Sequence, residues 1–473
     1  MLHCTPKHYR IQTLAVPEQT DITQLFAHFA DTPWSMLLDS ANSQHKNARF
    51  DIFVAEPVAT ITAKGNRCVI STLSQPQQRV VEQDPIDALQ DLLLATIGQE
   101  AQQHDCQAPN LPFHAGALGY FGYDLGRCFE TLPNHAVDDY CSPDMAVGIY
   151  TWSVIKDNRT GKFYLTSVDD FTAPSADFIQ ALVYQPPVTD QPFHLTSDWQ
   201  SNMSQQQYYE NIDRVLAYLR AGDCYQVNLA QRFKASYRGS LWQAYLILRQ
   251  ANQAPFSAFI QLPSNAIVSI SPERFLSVID KQVDSQPIKG TRPRDKDAVR
   301  DQQQIQDLLN SEKDRAENLM IVDLLRNDLS KACEDGSIKV PELFKIESFR
   351  AVHHMVSTVT GILRADQHAL DLLRGAFPGG SITGAPKIRA MEIIDQLEPQ
   401  RRNIYCGSIG YIDINGNMDT SICIRTLLAE KGQLYCWAGG GIVLDSKASS
   451  EYQESFDKVS KILPILAEAN EQK

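Results

Sequence analysis

The chain has 473 residues, 43% of them hydrophobic, and 56 acidic against 43 basic side chains give a formal net charge of −13. This negative balance excludes a nucleic acid or an anionic membrane held by bulk electrostatics, so an anionic substrate would need a local basic site. No secretory leader, membrane-length apolar run or C-x-x-C pair occurs among the residues, which predicts a cytoplasmic protein with reduced thiols.

The first part of the chain predicts a mixed α and β lobe. Residues 67–73 and 163–168 are short β-type runs, and residues 85–103 have a helical pattern. Residues 171–200 contain several prolines and are typical of a connector. We therefore predict a boundary near residue 190, with an N-terminal lobe at 1–190 and a catalytic domain at 191–473.

Two helices are predicted after this connector. Residues 204–221 begin at a serine that can cap the helix, carry apolar residues at helical spacing and end before Gly222. Residues 313–329 form the second helix, in which Glu317 lies on the apolar stripe with Ile321. A carboxylate directed into a core needs a neutralising partner, so Glu317 belongs either to a structural ion pair or to a metal site.

The segment Pro287–Arg294 places Lys289 in a turn-prone stretch after an apolar strand. The ordinary interpretation is a solvated loop lysine. A lysine brought into a drier pocket could instead lose its proton and act as a nucleophile.

A strand meander is predicted from Gly407 to Gly441, with strands at 409–414, 421–429 and 433–438. Arg425 lies in the second strand, so its guanidinium should point inward, where it would need a carboxylate or phosphate partner. The triplet Gly439–Gly441 follows the third strand. It would allow backbone N–H groups to approach an anion closely, although a tight turn explains it equally well.

The last helical stretch places Glu451, Glu454 and Lys458 on one face. Taken alone, Glu454 and Lys458 are a surface pair four residues apart. Together with Glu317, however, they offer two sets of oxygen ligands on two helices, which would suit Mg²⁺. No group of histidines and cysteines has the spacing of a zinc site.

Several of these segments resemble the chorismate-utilising enzymes in both order and spacing. The matching motifs are Ser271–Phe275, Pro287–Arg294, Glu317–Asp328, Gly379–Lys387 and Gly439–Ile442 followed by Glu451-x-x-Glu454. The resemblance covers residues from about 200 to 465. It implies an α+β fold in which two packed antiparallel β-sheets carry helices on the outside.

The resemblance also implies a set of site residues. Glu317 and Glu454 would bind Mg²⁺ directly, with Asp314 and Glu451 supporting its waters, and the metal would hold the ring carboxylate of chorismate. The residues expected to contact the substrate are Arg425, Tyr411, Lys458, Ser381, His354, Thr291, Gly439, Gly440 and Gly441. Glu273 would be the general acid and Lys289 the nucleophile.

Lysine at position 289 distinguishes branches of this family. It is typical of enzymes that convert chorismate and ammonia to 4-amino-4-deoxychorismate on the route to para-aminobenzoate and folate, whereas anthranilate synthases have Pro-Ile-Ala-Gly-Thr. No glutaminase signature occurs in the chain, so ammonia is expected from a separate glutaminase subunit. Anthranilate synthase component I remains the nearest alternative.

An N-terminal segment, Leu37-Leu38-Asp39-Ser40, resembles the Leu-Leu-Glu-Ser segment by which related anthranilate synthases hold tryptophan. The resemblance implies a tryptophan pocket at Leu38, Asp39 and Ser40. It also raises the alternative of a non-catalytic, tryptophan-binding regulator. The presence of every expected metal and substrate residue argues against that alternative.

Overall fold

The computed structural model describes residues 7–43, 45–73, 75–98, 101–103, 109–186, 191–348 and 352–469. The strands are β1 (Lys7–Leu14), β2 (Met36–Asp39), β3 (Phe50–Val54), β4 (Ala59–Lys64), β5 (Arg67–Thr72), β6 (Gln75–Glu82), β7 (Ala101–Gln103), β8 (Gly116–Phe121), β9 (Met145–Tyr150), β10 (Trp152–Asp157), β11 (Lys162–Val168), β12 (His194–Leu195), β13 (Gln200–Ser201), β14 (Gln226–Arg238), β15 (Phe256–Gln261), β16 (Asn265–Ser271), β17 (Arg274–Ile279), β18 (Gln282–Ser285), β19 (Ile288–Pro293), β20 (Lys339–Ser348), β21 (Val352–Ile362), β22 (Gly384–Ala385), β23 (Ser408–Asp413), β24 (Met418–Ile422), β25 (Thr426–Glu430) and β26 (Gln433–Ile442).

The helices are α1 (Ile22–Phe26), α2 (Pro85–Ile97), α3 (Ala176–Ala181), α4 (Gln205–Ala221), α5 (Leu241–Asn252), α6 (Ala298–Asn310), α7 (Glu312–Ser330), α8 (Ala369–Ala376), α9 (Lys387–Leu397), α10 (Ala448–Val459) and α11 (Leu463–Glu468). Short 3₁₀ turns occur at Tyr123–Cys128, Leu182–Tyr184 and Gly380–Ile382.

Two large sheets form the centre of the molecule, as the resemblance implied. Sheet one has the order β12-β14-β26-β25-β16-β15-β2-β3-β10-β11-β1-β7, with β13 and β22 beside β14. Sheet two has the order β19-β21-β18-β17-β24-β23-β8-β9-β4-β5-β6, with β20 beside β21. The ladders are antiparallel except for the pairing of β1 with β7.

Apolar side chains of both sheets meet in one large buried cluster, to which Ile267 of sheet one and Leu118 of sheet two belong. A second cluster lies beneath α1 and α5, where Trp242 packs against Phe26 and Phe259. The third joins α4, α9 and the end of β26. Burial of these apolar faces is the main force that holds the helices against the sheets.

The predicted helix at 204–221 is confirmed as α4. The Ser204 hydroxyl accepts the Gln207 N–H at 3.2 Å, and the Gln207 side chain accepts the Ser204 N–H at 2.9 Å. These reciprocal bonds satisfy two donors that the first turn leaves free. Gly222 ends the helix in the left-handed region, at φ 82°. The second predicted helix is likewise confirmed as α7.

The predicted strand at 421–429 is wrong in one respect, because it is two strands. Residues 418–422 form β24 in sheet two, whereas residues 426–430 form β25 in sheet one. Arg425 lies between them with a positive φ of 52°, a conformation that breaks an extended strand. The chain therefore crosses from one sheet to the other at Arg425.

Other predicted boundaries also differ. The helix expected at 85–103 ends at Ile97, where Gly98 follows with φ 84°, and the connector at 171–200 contains α3. The boundary predicted near 190 adjoins residues 187–190, which lie outside the described ranges, and both sheets combine strands from each side of it. Over the described residues, no helix combines the length and apolar character that a membrane span requires.

Candidate active site

The segment around Lys289 is an edge strand rather than the predicted loop. Residues 288–293 form β19, which pairs with β21 in sheet two and shifts register between Ile288 and Thr291. Gly290 lies in this bulge with φ 82°, and a Cβ there would come within 3.0 Å of Asp314. Only glycine fits this turn against α7 without strain. The bulge sets the direction of the Lys289 side chain.

Lys289 points into a small polar cluster. Its Nζ donates to the backbone carbonyl of Ser381 at 3.0 Å, and the Ser381 hydroxyl donates to the Glu273 carboxylate at 3.3 Å. Ser381 lies in the 3₁₀ turn Gly380–Ile382, and Glu273 lies in the tight connection between β16 and β17. Three distant segments thus bring an amine, a carboxyl and a hydroxyl together.

Burial changes the protonation of both ionisable groups in this cluster. Desolvation lowers the pKa of Lys289, although Glu273 and Glu317 oppose this change. Desolvation also raises the pKa of Glu273 to about 7, against the opposing charge of Lys289. Burial thus favours a neutral amine and a protonated carboxyl, the forms that a nucleophile and a general acid require.

Carboxylates from two helices lie beside this cluster. Burial raises the pKa of Glu317 on α7, and Asp314 and Glu451 raise it further. Burial likewise raises the pKa of Glu451 on α10, with a further contribution from Glu454. A Cβ on Gly440 would lie 3.2 Å from both the Glu451 and the Glu454 carboxylates. Glycine at position 440 therefore leaves room for the two carboxylates over β26.

The present partners of these carboxylates are lysines and a serine. Lys458 contacts Glu454 at 2.7 Å and also donates to the Gly439 carbonyl at 2.7 Å. Lys313 lies 3.9 Å from Glu317, and the Ser446 hydroxyl donates to Glu451 at 2.6 Å. The expected surface pair of Glu454 and Lys458 is thus formed, although both side chains also contact the glycine triplet.

The predicted metal ligands come close to one another without forming a closed set. Within the described ranges, no three His, Cys, Asp or Glu side chains are close enough to hold an ion as they stand. Asp314 is held by Arg292 at 2.8 Å. The donors that converge near Gly440 are carboxylate oxygens, which are the ligands Mg²⁺ prefers. The residues thus fit this metal in chemistry, and rotation of Glu317, Glu451 and Glu454 would have to complete the site.

An anion-binding group lies on the other side of the cluster. Arg425 is partly buried at the crossover between the sheets, where burial lowers its pKa and Glu273 raises it. His354 and Thr291 are cross-strand partners, and their side chains are 2.8 Å apart. Burial and the charge of Arg425 lower the pKa of His354 to about 4, which keeps the imidazole neutral. Arg425 therefore supplies the positive charge here.

Tyr411 lies in the core of sheet two. Its ring packs 5.4 Å from that of Phe113, and it is 8% exposed. Burial raises its pKa, and the charges that act on it belong to Asp419, Asp413 and Arg274. The structure thus gives Tyr411 different neighbours from those of Glu273 and Lys289.

The predicted tryptophan-binding residues are occupied by internal partners. The buried carboxylate of Asp39 accepts from the Tyr245 hydroxyl at 2.6 Å and from Arg249 at 3.1 Å. The Ser40 hydroxyl donates to Asp51 at 2.6 Å. Burial and the nearby Asp39 raise the pKa of Asp51 to about 7. Leu38 lies beside them in β2 and is partly buried.

Sequence reasoning missed one residue that supports the site. Arg402 donates to the backbone carbonyls of Ile382 at 3.0 Å and Asn228 at 2.8 Å, and it pairs with Glu398 at 2.6 Å. It thus ties the loop that carries Ser381 to β14. Glu398 follows the last residue of α9, and Arg402 lies outside the helix, so no helical spacing marks this pair in the sequence.

The cluster as a whole can bind a dianion and transfer protons. Arg425 and Lys458 supply positive charge, the converging carboxylates can hold a divalent cation, and Glu273 and Lys289 are an acid and an amine with shifted pKa values. A pair of ionisable groups whose pKa values burial shifts in opposite directions is typical of an enzyme active site.

Comparison with known proteins identifies the family of the chain. The model of the chorismate binding enzyme family matches residues 35–464. The chain is 54% identical to aminodeoxychorismate synthase component 1 of Escherichia coli K12, over 93% of this chain and 95% of that protein. Its counterpart from Salmonella typhimurium is 53% identical, with 95% and 97% covered.

A solved structure supports the same relationship. The crystal structure of anthranilate synthase component I from Streptococcus pneumoniae superposes with a TM-score of 0.74 at 30% identity, over 89% of this chain and 93% of that one. The chain therefore shares about half of its sequence with the first two proteins and its fold with the third.

Proposed function

The chain belongs to the family of chorismate-binding enzymes, and from this membership we propose that it is an aminodeoxychorismate synthase component I. It would convert chorismate and ammonia to 4-amino-4-deoxychorismate for para-aminobenzoate and folate synthesis. The observation that carries this proposal is the placement of Lys289 at the centre of the site, in contact with Ser381 and with its pKa lowered by burial.

The proposed reaction begins at Lys289. Its neutral amine attacks C2 of chorismate, the ring double bonds shift, and the C4–O bond breaks as Glu273 gives its proton to the departing hydroxyl, which leaves as water. Ammonia then attacks C4. As the C4–N bond forms, the bond between C2 and Lys289 breaks, and one ammonia proton passes to the lysine nitrogen. The product keeps its enolpyruvyl group.

We further propose that Glu317 and Glu454 hold Mg²⁺, with Glu451 and Asp314 as supporting groups. Bound Mg²⁺ would draw electron density from the ring through the carboxylate of chorismate. The residues of the chain would do the rest. Lys458 would lie beside the ring carboxylate, Ser381 would position Lys289 and Glu273, and neutral His354 with Thr291 would line the ring.

Arg425 is proposed to bind the enolpyruvyl carboxylate, together with the backbone of Gly439–Gly441. The variant Arg425→Lys keeps the charge but loses the planar fork of donors. We expect the KM for chorismate to rise by about tenfold to a hundredfold, since hydrogen bonds to charged groups contribute roughly 1.5–3 kcal/mol. Steady-state kinetics at saturating ammonium measure this change, and an unaltered KM would assign Arg425 to a structural role.

The pH dependence should report the general acid. Burial raises the pKa of Glu273 to about 7, so its acid form is present below this pH and is lost above it. We expect kcat/KM for chorismate to fall by about tenfold per pH unit above that point. The variant Glu273→Gln should lose this limb together with most of the rate, about 10²–10⁴-fold. A limb that persists in the variant would assign the titration to another group.

The remaining parts of the proposal concern partners and location. Ammonia would come from a separate glutaminase subunit, and Leu38, Asp39 and Ser40 would form a tryptophan pocket if Asp39 exchanged its present partners. The described part of the chain contains eight free cysteines, five of them fully buried thiols at most 1% exposed. Free thiols suit a reducing compartment such as the cytoplasm.

One experiment tests the proposed function directly. The purified chain is incubated with chorismate, Mg²⁺ and an ammonium salt, and the product is identified by mass and chromatography. We expect 4-amino-4-deoxychorismate. Anthranilate with released pyruvate would instead identify an anthranilate synthase. Tryptophan binding with no turnover at all would identify a regulator.

A further inference from the structure

Two of the sequence motifs end on charged residues that the mechanism has not used. Asp328 is the last residue of the motif on α7, and Lys387 is the last residue of the loop motif that contains Ser381. The Asp328 side chain is buried, and that of Lys387 is 11% exposed. Lys387 Nζ lies 2.7 Å from Asp328 Oδ2. Because removal of charges from water is costly, a buried ion pair contributes little to stability, and this one needs another explanation.

Lys387 closes the base of the loop. The loop runs from Ala376, the last residue of α8, to Lys387, the first residue of α9. Lys387 Nζ donates to the Ala376 carbonyl at 2.7 Å. The last carbonyls of a helix lack partners within it and favour a cation. One ammonium group thus joins the two ends of the loop and, through Asp328, fastens both ends to α7.

Ser381 lies in the middle of this loop and contacts both ionisable groups of the site. Its carbonyl accepts from Lys289 at 3.0 Å, and its hydroxyl donates to Glu273 at 3.3 Å. Beside it, Gly380 packs so closely against the Leu324 side chain of α7 that no Cβ would fit. The loop therefore lies against α7 both at its base and next to Ser381, and a change at the base would displace Ser381.

Building on the function proposed above, we propose that Lys387 and Asp328 are positioning residues for the attack of Lys289 on the ring. The pair holds the loop against α7 and thereby fixes Ser381 relative to Lys289 and Glu273. It acts on the reacting groups through Ser381. Displacement of a reacting group by about 1 Å can lower a rate about a hundredfold, so the effect of the pair should be large.

The variant Lys387→Met keeps most of the side-chain length but removes both hydrogen bonds. We expect kcat to fall by about tenfold to a hundredfold. The KM for chorismate should stay within about twofold, because Arg425 and Lys458 lie on other segments of the chain. Lys387→Arg retains the positive charge and the donors, so it should restore part of the lost rate.

The pH dependence provides a readout that a loss of stability alone would not change. Burial raises the pKa of Glu273 to about 7. The groups that face this carboxyl and favour its charged form are Lys289, the Ile288 N–H, the Ser381 hydroxyl, Lys458 and Arg425. Loss of the hydrogen bond from Ser381 would raise the pKa further. The fall of kcat/KM above the pKa of Glu273 should therefore move to higher pH in Lys387→Met.

Asp328→Asn separates the position of the loop from a direct effect of charge. Loss of a negative charge would by itself lower the pKa of a nearby carboxyl. Displacement of Ser381 would raise the pKa of Glu273, so the fall of kcat/KM should again move to higher pH. The control is Asp323→Asn on the same helix, which removes an exposed carboxylate 3.3 Å from Arg326. It should change neither kcat nor the pH profile.

A double variant separates positioning from stability. Loss of one partner leaves a charge unpaired in a buried place and lowers stability in itself. Lys387→Met combined with Asp328→Leu replaces the pair with apolar side chains, so the unfolding temperature should recover while kcat stays low. If either single variant does not fold, the double variant provides the test.

The outcomes separate this inference from the proposed function. A kcat that recovers together with stability in the double variant would overturn it, because the pair would then serve the fold alone. An unmoved pH profile in both single variants would also overturn it, because Ser381 would then keep its place without the pair. Failure of the wild-type chain to aminate chorismate would instead reject the proposed function.

Discussion

Turnover of chorismate should fall by about a thousandfold or more when Glu317 is replaced by glutamine, because the change removes a charged oxygen ligand from a site with few ligands. The fold should persist. Burial already raises the pKa of this carboxyl, so a neutral group of equal size is well accommodated on α7. The rate with saturating chorismate, ammonium and Mg²⁺ is the measurement, and Glu454→Gln should behave in the same way.

A matched control is available on the same helix. Glu312 is exposed in the first turn of α7, and Glu312→Gln removes the same charge without touching the site. Its rate should stay near that of the wild type, and all three variants should unfold at similar temperatures. Near-normal turnover by Glu317→Gln at saturating Mg²⁺ would remove Glu317 from the metal site.

Replacement of Lys289 with alanine should change which product is formed. While lysine occupies C2, ammonia can enter only at C4. In Lys289→Ala, formation of 4-amino-4-deoxychorismate should slow by about a hundredfold or more, since an activated nucleophile is lost. Ammonia can then attack C2 directly, and the ortho-amino compound can lose pyruvate to give anthranilate. Product analysis by mass and chromatography measures the ratio of the two amines.

The same lysine should be trapped when ammonia is withheld. Wild-type protein incubated with chorismate and Mg²⁺ should gain the mass of chorismate minus water, and peptide mapping should assign it to Pro287–Arg294. Lys296 is exposed nearby, and Lys296→Ala should still form this adduct. An unmodified Lys289, together with a Lys289→Ala variant that makes only the para product at the normal rate, would show that ammonia attacks without a covalent intermediate.

Local patterns predicted helices α4 and α7 well. Helix α4 was predictable because its cap, apolar spacing and terminal glycine all act within one segment. The position of Glu317 on the apolar stripe of α7 was equally local, and it identified a carboxyl whose pKa is raised by burial, lowered by the charge of Lys289 and raised by that of Glu451.

Features that depend on distant segments were not predictable in this way. Nothing in residues 421–429 alone shows that Arg425 breaks the strand, since the break serves to move the chain between sheets. The sequence around Lys289 was typical of a loop. It forms an edge strand with a bulge, and such a strand has few of the apolar residues by which a strand is predicted. The partners of Asp39 were equally hidden, because Tyr245 and Arg249 lie on a helix more than 200 residues away in the chain.

Both sheets join strands from before residue 190 to strands from after it. In sheet one β2 pairs with β15, and in sheet two β8 pairs with β23. Residues 1–190 therefore cannot be exchanged between relatives as an independent module. A hybrid that combined this part of one relative with the remainder of another would have to match side chains along both ladders. Because the two parts share these ladders, we expect their paired residues to evolve together. A new regulatory property could therefore arise by substitution in such a chain more readily than by exchange of a whole domain.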